Sequence, residues 1–208
     1  MLLLGGALLL GAAPVRRPLE EGAFSIYYRD EKVGYEEYSW TEDERGYSLS
    51  IRGRMTRPVP MIISDMTIRL DRGFIPEYFF FRGEVSGVAQ EIISEISEGR
   101  VENVIRVSGQ EQTVKADVRR DAVLLPNPVF SSYMVVTKRF PCSLREAVEL
   151  SAYIIPQTET SVILEPDPES ECRLFLQMGA TRIELETDST GVLKRLAIPS
   201  QDLRVERD

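Results

Sequence analysis

Acidic residues stand in pairs and clusters that invite a chemical reading: Glu36-Glu37, Glu42-Asp43-Glu44, and the run Glu165-Pro166-Asp167-Pro168-Glu169-Ser170-Glu171. Two carboxyl groups held at a set separation do glycosidic acid–base work, and clustered carboxylates can ligate Ca²⁺. Neither pattern reaches a signature. Glu36-Glu37 falls in an expected strand and Glu42-Asp43-Glu44 in an expected turn, where solvated charge is the ordinary explanation. The 165–171 run lacks the glycine and the fixed ligand alternation of an EF-hand loop and reads as a rigid, charged turn. The chain contains no His, which removes Ser-His-Asp, Cys-His and zinc-hydrolase mechanisms. An acid-dependent hydrolase working through Glu36 or Glu37 therefore ranks last. The expectation is a protein that is not an enzyme, with no catalytic residues, no metal and no cofactor.

Cys142 and Cys172 are the only thiols. In an oxidising compartment a bridge between them would close a loop of about thirty residues, worth about 3–4 kcal/mol by chain entropy. Two separate half-buried thiols are equally compatible with the spacing.

Compartment is suggested by the first fourteen residues, MLLLGGALLLGAAP, an uncharged apolar run. Leu2 to Ala13 is shorter than the roughly 20 residues a membrane-spanning helix needs. It matches the apolar core of a signal peptide, with Gly11-Ala12-Ala13 as small residues for cleavage. No Lys or Arg precedes the run, and Arg16 and Arg17 follow it. The alternative, a hydrophobic helix packed on the domain, would show polar positions at a 3.6-residue period, and none occur. The expectation is a leader over 1–18, export to the periplasm or cell envelope, and no transmembrane span in the mature chain. With 33 acidic against 25 basic residues and a net charge of −8, a nucleic-acid partner is disfavoured, because phosphates reward clustered Lys and Arg.

The rest of the 208-residue chain reads as a single antiparallel β-domain over 19–208. Phe24, Ile26 and Tyr28 alternate with Ser25, Tyr27 and Arg29, and Val33 to Trp40 follows as the second arm of a hairpin, with Gly34 marking a bulge. Alternation recurs in 47–55, 62–70, 76–82, 89–97, 101–107 and 113–118, separated by turns such as Glu98-Gly99-Arg100 and Ser108-Gly109-Gln110. Pro126-Asn127-Pro128 breaks the rhythm. Phe130, Tyr133, Met134 and Thr137 then recur at helical spacing, with Asn127 as cap and Pro128 in the first turn, predicting one helix over about 128–140. Strands resume over 147–155, 161–164, 172–179, 181–187 and 192–198, with Asp188-Ser189-Thr190-Gly191 as a hairpin turn. The fold class is mainly β: a strongly curved antiparallel sheet or half-open barrel with one helix packed against it.

Tyr78-Phe79-Phe80-Phe81, Ile92-Ile93, Tyr133-Met134-Val135-Val136 and Tyr153-Ile154-Ile155 supply more bulky groups than one sheet face needs. A curved sheet closed by a helix can use them to enclose an apolar cavity, or they can fill an ordinary core. For a cavity, Tyr78, Phe80, Tyr133 and Met134 are the candidate ligand-binding residues.

Phe24 to Glu36 (FSIYYRDEKVGYE), the Pro-flanked helix at Pro126 to Phe140, and the closing Asp188 to Leu196 (DSTGVLKRL) together resemble a family of exported bacterial envelope proteins whose strand-rich plan is similar to the LolA/LolB-like lipoprotein carriers. Those carriers hold acyl chains in a half-open barrel lidded by helices. The resemblance implies binding rather than chemistry: an envelope protein that takes a lipid or acyl chain into a β-sheet cavity. The alternative is an envelope scaffold or protein-interaction domain with a filled core and a protein partner.

Overall fold

Alternating inward apolar and outward polar side chains, joined mostly by short turns, build one very long meander. In the computed structural model, residues 16–208 are described, except 143 and 157; most of the expected leader, 1–15, lies outside them. Arg17 and Pro18, expected to end that leader, already belong to the first strand. Eight strands run in succession: β1 (Arg17–Tyr28), β2 (Glu31–Glu42), β3 (Gly46–Met55), β4 (Met61–Asp71), β5 (Pro76–Val85), β6 (Val88–Ser97), β7 (Arg100–Val107) and β8 (Gln110–Asp117). Positive φ at both central residues of Arg29-Asp30, Ser86-Gly87, Glu98-Gly99 and Ser108-Gly109 makes the tight hairpin turns that match strand twist. Register slips opposite Gly34, where β1 and β2 pair Ile26 with Gly34 and Tyr27 with Lys32. A Cβ on Gly34 would lie 2.3 Å from the Arg54 carbonyl oxygen, so the bulge needs a residue without a side chain.

The second half supplies a two-residue strand β9 (Val123–Leu124), a 3₁₀ turn (Ser131–Tyr133), the helix α1 (Met134–Arg139), and strands β10 (Val148–Ile154), β11 (Thr158–Pro166), β12 (Arg173–Met178), β13 (Thr181–Thr187), β14 (Leu193–Ile198) and β15 (Leu203–Arg207). All fifteen strands form one sheet in the order β8-β7-β6-β5-β4-β3-β2-β1-β15-β14-β13-β12-β11-β10-β9. Every neighbouring pair is antiparallel except β9 with β10. The sequence reading stopped at Ile198; β15 pairs with both β1 and β14 and joins the two halves.

The sheet's edges, β8 and β9, are neighbours in sequence but share no ladder. The sheet nevertheless curls until its ends meet: Asn103 on β7 reaches Tyr153 on β10 at 2.8 Å, although each strand is second from its own edge. The result is a strongly curved sheet with one short helix, open along a seam and not closed into a barrel.

The inside of the curl is occupied by the chain between β9 and β10. Residues 129–137 are all buried, from Val129 through the hydroxyls of Ser131, Ser132 and Thr137. A helix buried on every side is an internal plug, not an amphipathic lid. It is also shorter than expected. Helical structure begins at Ser131 instead of Pro128, and Asn127 caps nothing: it is exposed, and the Val129 N–H closes a turn onto the Pro126 carbonyl.

Cys142 and Cys172 are joined by a disulfide. It ties the chain leaving α1 to the start of β12 and closes a loop around β10 and β11.

Candidate functional site

Two places on the inward face depart from plain packing, one at the plug and one at the seam. The first is Glu36. It sits on β2 between Gly34 and Tyr38, in line with Tyr38 and Trp40, and is 1% exposed. One carboxyl oxygen accepts the Phe130 N–H at 3.0 Å; the other accepts the Ser131 N–H at 2.6 Å and the Ser131 hydroxyl at 2.5 Å. A strand residue thus satisfies the free N–H groups that open the 3₁₀ turn, the task that Asn127 was expected to perform. Burial pushes the Glu36 carboxyl above its ordinary value, against the pull of the three donors. The other buried hydroxyls turn back on the plug itself: Ser132 donates to the Val129 carbonyl at 2.6 Å and Thr137 to that of Met134 at 3.3 Å.

At its far end the plug carries Lys138, 3.2 Å from Glu20. Glu20 also pairs with Arg207 at 3.2 Å and accepts the Tyr38 hydroxyl at 2.7 Å. Burial, then Glu20, raises the Tyr38 phenol far above its usual range. The Asp188–Val192 turn closes against the same end. A Cβ on Gly191 would meet the Thr137 carbonyl oxygen at 2.5 Å, and its φ is +79°.

The second place is the seam. Ser94 donates to the Asn103 side-chain oxygen at 2.6 Å, and the Asn103 amide donates to both the Tyr153 hydroxyl and the Pro156 carbonyl at 2.8 Å. Ser94 and Asn103 are fully buried. This clip bridges the two ends of the sheet where no backbone ladder does. Asn103→Ala strands the Ser94 hydroxyl and takes a donor from the Tyr153 hydroxyl and the Pro156 carbonyl, which keep each other as partners, and is expected to cost about 1–3 kcal/mol in urea denaturation. Faster amide exchange in β7 should accompany it; unchanged exchange there would mean that the clip does not hold the seam.

Beside the clip lies an apolar cleft of about 220 Å³, lined by Met61, Phe79, Phe81, Val85, Gln90, Ile92, Ile155, Pro156 and the 126–129 turn into the plug. A larger trough, about 660 Å³, runs over the outer face of β1 to β4, but charged and hydroxyl groups such as Glu21, Glu37, Arg52, Asp65 and Ser50 line it.

The four residues expected to line a cavity fall elsewhere. Tyr78 and Phe80 lie on the outer face, half-buried beneath Arg69 and Arg82, whose guanidinium carbons stand 4.1 and 5.3 Å from the ring centres. Strand parity sends their neighbours Phe79 and Phe81 inward. Tyr133 and Met134 are inside, but as parts of the plug and not of the cleft wall. Glu36 and Glu37 point to opposite faces and cannot act as a catalytic pair. In the acidic 165–171 turn, Asp167 accepts the Glu169 N–H at 2.8 Å and faces Arg173 at 3.5 Å. No cluster of three or more potential metal ligands occurs among the described residues. No helix among them is long and apolar enough to cross a membrane.

Comparison with known proteins adds little to this geometry. No family model matches the chain, and no curated protein is similar to it. Among solved structures it is similar to the crystal structure of a DUF1089 family protein from Pseudomonas aeruginosa, with 12% identity over 97% of each chain and a TM-score of 0.47. A likeness of that degree assigns neither family nor activity.

Proposed function

We propose that this is an exported cell-envelope protein that binds a lipid or acyl chain, with the seam cleft as the site. The observation that carries the reading is the cleft itself: inward aromatic and aliphatic side chains from β4, β5 and β6, largely buried except for Val85, wall an apolar recess beside the seam where the curled sheet does not close. At about 220 Å³ it is smaller than the 300–1,000 Å³ typical of pockets that engulf a whole ligand, so it suits part of one chain. Export is supported by the apolar N-terminal run and by the Cys142–Cys172 bridge, a bond that persists in oxidising compartments. Binding rather than catalysis is supported by Glu36, the inward carboxylate, being fully engaged by the plug. The strand-rich, half-open plan agrees with the resemblance to the LolA/LolB-like carriers.

A second reading, an envelope scaffold with a protein partner, is favoured by the complete burial of residues 129–137, which occupy the inside of the curled sheet. Native mass spectrometry of protein purified from membranes separates the two. A bound lipid is expected, together with saturable uptake of a fluorescent monoacylglycerol. Val85→Trp, which fills the cleft from its half-buried end, should weaken that uptake about tenfold while leaving the urea midpoint within the range of ordinary surface changes. A clean apo mass with no uptake, and a co-purifying protein, would instead support the scaffold.

A further inference from the structure

The cleft's chemistry is more specific than its apolarity. Charged residues make up 28% of the chain, yet none of the twelve residues lining the cleft is Asp, Glu, Lys or Arg. Two turns that meet beside it, Pro58-Val59-Pro60 and Ser86-Gly87, are also uncharged, and they are joined by the Ser86 N–H on the Pro60 carbonyl at 2.7 Å. The basic residues nearest in sequence are Arg82, next to Phe81, and Arg57, next to Pro58; the first is engaged by Glu91 and the second by Glu31. The polar groups the lining does offer are two side-chain amides, Gln90 on β6 and Asn127 in the turn entering the plug. An amide presents both a donor and an acceptor without charge, which matches an ester or amide carbonyl and a hydroxyl. A carboxylate brought to the same place would lose water and find no cation.

We infer that the cleft selects an acyl chain carried on an uncharged head, such as an ester, amide or alcohol, over the same chain as an ionised fatty acid. The inference rests on the reading of the cleft as an acyl site.

The test compares one short fluorescent chain presented as a monoacylglycerol and as the free acid, at pH 8 and below the aggregation threshold of both, on the intact protein. The glycerol ester is expected to bind at least about tenfold more tightly. Gln90→Lys, which places an ammonium in the cleft, should move the ratio toward the free acid by at least about tenfold. Equal binding by the unaltered protein, or tighter binding of the free acid, overturns the selectivity while leaving the acyl site standing. Failure of the unaltered protein to bind either lipid overturns the acyl site and the selectivity with it.

Discussion

Replacing Glu36 with alanine is expected to lower stability by about 3–5 kcal/mol, because two buried N–H groups and a hydroxyl stay unpaired at about 1–3 kcal/mol each. The Phe130 and Ser131 N–H groups lose their acceptor inside the sheet, and the Ser131 hydroxyl loses its partner. Glu36→Gln keeps the volume but sets an NH₂ group against one of those N–H donors, so a smaller loss is expected. Neither replacement titrates, so both losses carry the pH dependence of Glu36 itself. Because burial raises the folded carboxyl above its ordinary 4.5, protonated Glu36 is the form that folding favours. Its stabilising contribution is complete below pH 4.5 and declines as pH rises through the folded value. Glutamine does not titrate, so the gap between the unaltered protein and Glu36→Gln should be widest in acid and narrow toward neutrality. Urea titrations of both proteins at several pH values measure it. A gap that widened with pH would mean that the three donors outweigh burial and that the carboxyl is held low.

Loss of the disulfide is the second large effect. The Cys142–Cys172 bridge spans 30 residues of sequence, and constraining such a loop in the unfolded chain is worth about 3–4 kcal/mol. The double substitution Cys142→Ser, Cys172→Ser should show that loss by denaturation, and the oxidised unaltered protein should match it once reductant is added. Amide exchange should rise first in 134–140, because the bridge fixes the chain just beyond α1. If reduction left stability and exchange unchanged, the bridge would be dispensable to the plug, and its support for an oxidising compartment would weaken.

Much of the sheet was legible because period-two alternation survives wherever one face meets the plug and the other meets water. β5 shows both the strength and the limit of that signal. Its aromatic run Tyr78-Phe79-Phe80-Phe81 identified a strand, but apolar residues on both faces hid the parity, and the outward pair is covered by arginine side chains instead of a second layer. β15 was missed although Leu203 and Val205 alternate with Arg204 and Glu206; five residues beyond a Pro-Ser-Gln turn make a short signal. The helix was legible in kind but not in setting. Its 3.6-residue spacing suggested one buried face, whereas 129–137 is enclosed on all sides, a property of the sheet's curl that no local pattern contains.

Site residues were harder to find. Glu36 and Asn103 each interrupt an inward apolar series, Glu36 beside Tyr38 and Trp40, and Asn103 between Val101 and Ile105. A polar group at an inward position was the available signal. What it bonds to, 94 residues away for Glu36 and 50 for Asn103, depends on how the sheet closes.

The pairing of β1 with β15 bears on how the molecule is made. Ser25 and Asp208, which meet beside that pairing, are 183 residues apart, and no other strand can bridge β1 to β14. During synthesis the two arms of the meander can form hairpins, but the centre of the sheet stays unmade until β15 has emerged. Such long-range pairing folds slowly, so the centre of the sheet, and not either edge, is the last part of the meander to be completed.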